Sequence, residues 1–365
     1  MYKKLIKPVL FLMSPDFVHR ATVFMGKIAQ SIPLVRWIIK KWWRYDNSTL
    51  EQNLFGINFI NPVGLSAGFD KNVELTPLME SVGFGFETGG SVTLAKRTGN
   101  KRPWFYRLPK SESIVVHAGL ANKGIVNIGR KVKRNLKRVK QTPLIISVAV
   151  VAKTQKETCE DAIIDAKNTM EYILQHQLAQ MIEINISCPN AGDSQPFSEP
   201  EMLDKLLTKL DEVDRDVPVF VKMPNFPKLS LLDSLLKVII QHNVQGVTIA
   251  NLVKGRQKIK LSDDLPDDIK GGLSGAPTRY RSTMLIRYTY RKYGNRLKII
   301  GVGGIFNAEQ AYEKIKAGAS MVGMITGVIF EGPQVVGRVN RELVEMLKND
   351  GYHNISEAIG AWHRE

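Results

Sequence analysis

Cysteine is scarce in this chain of 365 residues, with only Cys159 and Cys188 present. Two thiols outside any C-x-x-C spacing exclude a disulfide framework and a cysteine-built metal site, and they fit a reducing compartment. No apolar run approaches the roughly 18 residues that a membrane-spanning helix needs. No G-x-G-x-x-G opens a helix in the first strand–helix unit, which argues against a dinucleotide-binding Rossmann domain. Low-complexity linkers and internal repeats are also missing. Acidic residues are absent from a basic run at 130–140, where Lys131, Lys133, Arg134, Lys137 and Arg138 stand without an aromatic among them. That run fits the solvated face of a helix, and without aromatic platforms nucleic-acid binding by stacking has no support.

Acids are nearly absent from residues 1–44 as well. Asp16 stands alone there against Lys3, Lys4, Lys7, Arg20, Lys27, Arg36, Lys40, Lys41 and Arg44. Apolar side chains interleave with these cations, including Trp37, Trp42 and Trp43. A basic, tryptophan-bearing helical segment of this kind predicts a helix lying in the membrane interface, with cations on anionic headgroups and indoles at the boundary. The competing expectation is a helical hairpin packed on the rest of the protein. Lys7 and Pro8 interrupt the first apolar stretch and no small-residue cleavage site follows, which argues against a secretory signal. The net charge of +16 suits an anionic membrane surface.

Beyond this segment, short apolar strand patterns recur at 62–67, 86–90, 144–150, 181–187, 217–223, 246–250, 298–302 and 320–325. Helical patterns at 160–176, 201–212, 231–242, 308–317 and 334–348 alternate with them. Eight strands alternating with helices predict an α/β fold, a (β/α)8 TIM barrel with an N-terminal helical hairpin extension. In such a barrel the residues just past each strand hold substrate and do the chemistry.

The fourth strand is the most informative. Ile182, Ile184 and Ile186 alternate with polar residues, and Pro189 ends the strand by fixing φ and removing an N–H. Asn185, Ser187, Cys188 and Asn190 are thereby delivered together. A cysteine thiol can be tuned toward neutrality, so Cys188 is a credible proton acceptor. The other strand ends agree: G-L-S-A-G-F-D-K (64–71), then Gly89, Gly90 and Ser91, then Lys222, then Asn251, with a G-G-L-S-G loop at 271–275. Strands seven and eight end in G-V-G-G-I (301–305) and Ile325, Thr326, Gly327, a glycine-rich phosphate cradle backed by a helix N-terminus. Lys222 ends a buried strand, which is unfavourable unless it meets a charge, and a ring that turns anionic on reduction would be one. Phosphate cradle, redox ring and thiol base together predict a flavin mononucleotide (FMN) oxidoreductase without a metal.

On these motifs, with T-G-N-K-R-P, N-I-S-C-P-N, I-I-G-V-G-G-I and G-V-I-F-E-G-P, the chain resembles the dihydroorotate dehydrogenases over almost its whole length. The likeness is to their membrane-associated, quinone-dependent class. The resemblance implies FMN-dependent oxidation of dihydroorotate to orotate in pyrimidine biosynthesis, with electrons passed to a membrane quinone. It implies FMN contacts from Ala67, Gly68, Ser91, Asn185, Lys222, Gly275, Gly304 and Thr326, and substrate contacts from Lys71, Asn185, Asn190 and Asn251. Cys188 falls at the base position and Lys222 would stabilise reduced flavin. Residues 1–44 would give quinone access and residues 45–365 the FMN barrel, at the cytoplasmic face of the inner membrane.

The departures are specific. Cysteine, not the serine usual in this class, occupies the base position. Val116 and Ala149 stand where the family has asparagines, and Leu252 where it has a threonine. Two lost hydrogen bonds at about 1–3 kcal/mol each amount to roughly a hundredfold in recognition. They motivate two alternatives: a paralogue acting on a less polar ring through the same FMN, and a membrane-surface flavin-binding protein that has lost catalysis.

Overall fold

A computed structural model describes residues 2–151, 158–187, 195–255 and 259–364. Eight parallel strands close into a barrel: Val63–Leu65 (β1), Phe86–Val92 (β2), Leu144–Ala149 (β3), Met181–Asn185 (β4), Val219–Lys222 (β5), Gly246–Ile249 (β6), Lys298–Val302 (β7) and Met321–Met324 (β8). Each of the eight strand patterns in the sequence supplies one of them; most are trimmed at the ends, the second extends to Val92 and the seventh keeps its bounds. The strands pair in chain order, and β8 closes on β1 with Val322 opposite Val63.

Alternation along each strand divides the core. Phe86, Ile145, Met181, Phe220, Ile300 and Met321 point inward and form the barrel floor with Phe59. Their neighbours Ile146, Ile182, Val219, Val247 and Ile299 point outward into the larger core beneath the helices. The strands are buried on both faces, and Leu144–Ala149 carries an almost unbroken apolar run. Gly64 gives room to this floor, because a Cβ there would sit 2.3 Å from the Phe86 ring.

The helices fall where the sequence patterns place them, within three residues at every end: Cys159–Gln175 (opened by a Thr158–Asp161 capping box), Pro200–Asp211, Leu229–Ile239, Ala308–Lys316 and Val335–Asn349. One expectation needs correction. The 271–275 stretch is not a loop: Gly272–Gly275 pairs antiparallel with Ser113–Val116, which pairs in turn with Phe105–Leu108. Its glycine content hides a strand whose partner lies some 160 residues earlier.

The N-terminal segment forms Lys7–Leu12 (α1), Pro15–Ala29 (α2) and Pro33–Trp43 (α3), each with proline in its first turn, where no N–H is needed. Its single acid anchors it. Asp16 is buried, pairs with Arg102 at 2.6 Å and accepts the Trp104 N–H at 2.9 Å. Gly26 lets α2 close on the barrel, since a Cβ there would lie 3.0 Å from Leu75. The outer side stays apolar and open, with Phe24, Leu34, Trp37 and Trp42 all more than half exposed. Among the described residues no helix is long and apolar enough to cross a membrane.

Candidate active site

A cavity of about 520 Å³ runs from the C-terminal ends of the barrel strands to the inner face of α2. Ala67, Gly68, Lys71, Ser91, Asn185, Lys222, Asn251, Gly275, Gly304 and Thr326 all line it. These residues come from seven barrel strand ends and the antiparallel sheet. Cys188 and Asn190 lie outside the described residues.

A hydrogen-bonded chain fixes the strand-end amides. The Asn185 Nδ2 donates to Ser91 Oγ at 2.8 Å, and Ser91 meets Ser147 Oγ at 2.8 Å. Asn251 Nδ2 donates to Asn185 Oδ1 at 3.2 Å and to Ser187 O at 2.8 Å. Ser187 Oγ donates to Lys222 O at 3.2 Å. Strand ends β2 to β6 are thus locked together, and the orientation of both asparagines is set by fixed partners. Lys222 also meets a charge from its own chain, Glu183 Oε1 at 3.6 Å.

Lys71 is held by the Gly68 carbonyl and lies 4.9 Å from the centre of the Phe105 ring. Burial brings its pKa down to about 8, against the pull of Asp70 and Asp16. Asp70 and Glu87 form a buried carboxyl pair next to it. Burial raises both, and the Asp70 charge raises Glu87 further. Asp70 accepts the Leu75 N–H at 2.6 Å, which works against the effect of burial on its own carboxyl.

The far end is stripped of side chains. Gly303 and Gly304 have φ of +121° and +67°, and a Cβ at Gly304 would stand 2.5 Å from Arg279 Cβ. The loop therefore lies on the first turn of the helix Arg279–Tyr293, not on the helix that follows β7. Ser274 Oγ and Thr326 Oγ1, 2.9 Å apart, add hydroxyls. Behind the loop, the fully buried Lys314 donates to Ser282 Oγ and Thr283 Oγ1, both at 3.0 Å. Ser282 Oγ donates in turn to Val302 O at 2.6 Å. Burial lowers the Lys314 pKa to about 7.

Toward the hairpin the lining turns apolar. Val116, Ala118, Leu120 and Leu252 line the cavity, while Ala149 is buried opposite Asn185 in the β3–β4 ladder. His19 of α2 sits edge-on to Phe69 and Phe105, at 5.5 and 5.4 Å between ring centres. Burial first, then Lys71 and Arg102, hold its pKa at about 3, so the ring is neutral. Sequence reasoning did not single out His19, Ser147, Glu183 or Lys314. For His19 a signal existed, the lone imidazole in a basic apolar segment.

A (β/α)8 barrel with its polar groups gathered at the strand C-termini defines a barrel enzyme with its site at the usual end. The family model described as dihydroorotate dehydrogenase matches residues 49–347. A protein from Nostoc punctiforme named dihydroorotate dehydrogenase (quinone) is 32% identical, over 98% of this chain and 97% of its own length. One of the same name from Nocardia farcinica is 33% identical, over 100% and 98%. The crystal structure of the Eimeria tenella enzyme in complex with ferulenol superposes with a TM-score of 0.78 at 25% identity, covering 93% of this chain and 96% of that one. The chain belongs to the dihydroorotate dehydrogenase family. That family is FMN-dependent. The cavity fits the cofactor: a side-chain-free glycine loop with two hydroxyls suits a phosphate, and Asn185 and Lys222 at the strand ends suit a flavin ring.

Proposed function

We propose that this protein oxidises dihydroorotate to orotate and passes the two electrons to a membrane quinone. The observation that carries this reading is one continuous cavity that joins ten of the sequence-predicted site residues at one end to the apolar N-terminal helices at the other. Lys71 holds the substrate carboxylate, and Asn185, Asn190 and Asn251 hold the ring edges. Cys188 takes the proton from one ring carbon as the neighbouring carbon gives up hydride, and a carbon–carbon double bond forms between them. FMN, when bound, supplies the hydride acceptor and the relay of both electrons to quinone. Lys222 and Asn185 would hold the flavin ring, while Gly275, Gly304 and Thr326 would hold its phosphate. Ala67, Gly68 and Ser91 complete the FMN contacts.

Residues 1–44 act as the quinone entry and as a peripheral anchor, with residues 45–365 as the catalytic barrel. The exposed Trp37 and Trp42 beside Lys40 and Lys41 support this placement. The proposed location is the cytoplasmic face of the inner membrane. Deleting residues 1–44 should move the protein from the membrane fraction to the lysate.

The test is turnover of dihydroorotate by purified protein with a soluble quinone, followed by bleaching of the flavin. Cys188→Ala should keep FMN bound and abolish that bleaching. A second reading rests on Val116 and Leu252 in the cavity wall: a less polar ring as substrate, through the same cofactor. Flavin that stays yellow with dihydroorotate but bleaches with an apolar cyclic acid would favour it. Flavin that bleaches with neither would favour a binding protein without catalysis.

A further inference from the structure

Period-two alternation puts Glu183 on the same face of β4 as Met181 of the barrel floor and Asn185 of the site. Lys222 shares its face of β5 with Phe220. Both side chains therefore point into the barrel, where Glu183 is 2% and Lys222 5% exposed. Their charges meet at 3.6 Å, too far for a hydrogen bond. Glu183 Oε1 accepts no hydrogen bond from any described residue. A carboxylate held in the interior without hydrogen bonds at that oxygen is costly, and among the described residues the neighbouring Lys222 ammonium offsets it. Lys222 lines the cavity, whereas Glu183 lies behind it.

We propose that Glu183 is a positioning residue that sets the reduction potential of the bound flavin through Lys222, by holding the ammonium at its strand end and cancelling part of its charge. The proposal rests on the FMN site described above. A full positive charge at Lys222 stabilises the reduced, anionic ring; a buried counter-charge at 3.6 Å weakens that effect in a low-dielectric interior. The pair also explains why a lysine is tolerated in a buried strand before any cofactor binds. Lys222 is thereby pre-positioned and pays no search entropy when the cofactor arrives.

The experiment is spectroelectrochemical titration of FMN-loaded wild type and Glu183→Gln, which keeps shape and removes charge. The variant should bind reduced over oxidised FMN about tenfold more tightly than wild type does, a rise of about 30 mV for a two-electron couple. A purely structural glutamate would lower thermal stability and leave the potential where it was, and that result overturns the proposal. A fall in potential overturns it too. If Glu183→Gln does not fold, Glu183→Asp draws the carboxylate back from Nζ and should raise the potential in the same direction by less. An unchanged potential there counts equally against the proposal. A loss of FMN binding in both variants, measured by flavin fluorescence on the apoprotein, would place the failure in the cofactor site itself, and the tuning role would fall with it.

Discussion

The two ends of the cavity solve opposite problems. At the barrel end, charge and hydrogen bonds are concentrated: Lys71, Lys222, Asn185 and Asn251 are all held by fixed partners. At the hairpin end, the His19 imidazole in the cavity lining is kept neutral between two phenylalanines. One end is suited to steering protons and hydride on a charged ring, the other to admitting an apolar partner along a wall whose cation, Arg107, is held by the Met13 carbonyl at 2.8 Å. The difference shows why a polar site can abut a membrane-facing segment. A buried polar group costs free energy only where its partners are missing, and strand ends supply partners that helices with open apolar faces do not.

The largest effect should come from the glycine loop. Gly304→Val forces a side chain into a φ of +67° and against Arg279. FMN should bind roughly a hundredfold more weakly, about 3 kcal/mol, read as flavin lost on gel filtration. Next, Lys71→Ala should lower kcat/KM for dihydroorotate by roughly 10–100-fold, the worth of a charge-assisted hydrogen bond of about 1.5–3 kcal/mol. In the wild type, Lys71 is protonated below its pKa of about 8 and loses that charge as pH rises through it. KM should therefore climb about tenfold per pH unit above 8 while the flavin stays bound. A flat KM profile from pH 7 to 10 would remove Lys71 from substrate binding.

Restoring polarity to the wall sharpens the contrast. Val116→Asn with Leu252→Thr should raise kcat/KM for dihydroorotate about thirtyfold if that ring is the substrate, from two hydrogen bonds of about 1 kcal/mol each. A fall instead would show the apolar wall to be matched to another ring. At the hairpin end, Trp37→Ala with Trp42→Ala should cut sedimentation with anionic vesicles several-fold and leave flavin reduction by substrate unchanged. The smallest effect concerns Glu74, which ties the hairpin to the barrel by accepting Lys27, Lys123 and Lys131 within 3.2 Å. Burial would raise its pKa, but the ammonium groups of Lys131, Lys27 and Lys123 outweigh burial and bring it to about 2. The folded value lies below the unfolded one, so this stabilisation is complete above about pH 4.5 and is lost as pH falls toward 2. Glu74→Gln should cost about 1 kcal/mol at pH 7 and flatten the melting temperature across that window.

Much of this was legible in the sequence because it is local. Short apolar stretches alternating with helical patterns marked eight barrel strands, and strand ends are next in sequence to the residues they present, so Lys71, Ser91, Asn185, Lys222, Asn251 and Thr326 could be named without coordinates. Asn185 and Lys222 were expected as cofactor contacts, but nothing in I-E-I-N and V-F-V-K reveals that Glu183 and Lys222 are charge partners. That pairing depends on two strands facing inward at adjacent positions. The same holds for the 271–275 stretch, whose sheet partners begin at Phe105, and for Lys314, which reads as an ordinary helix lysine until its burial behind Val302 is seen. His19 reaches the site only because Asp16 and Gly26 dock α2 against the barrel. The sequence by itself determined which elements form and which chemistry each carries to its end, since propensity, pattern and turn residues act over a few positions. Only the tertiary structure decided which charges neutralise one another and where polar wall gives way to apolar. Those outcomes depend on distance and burial between segments far apart in the chain, and Coulomb and desolvation energies are set there.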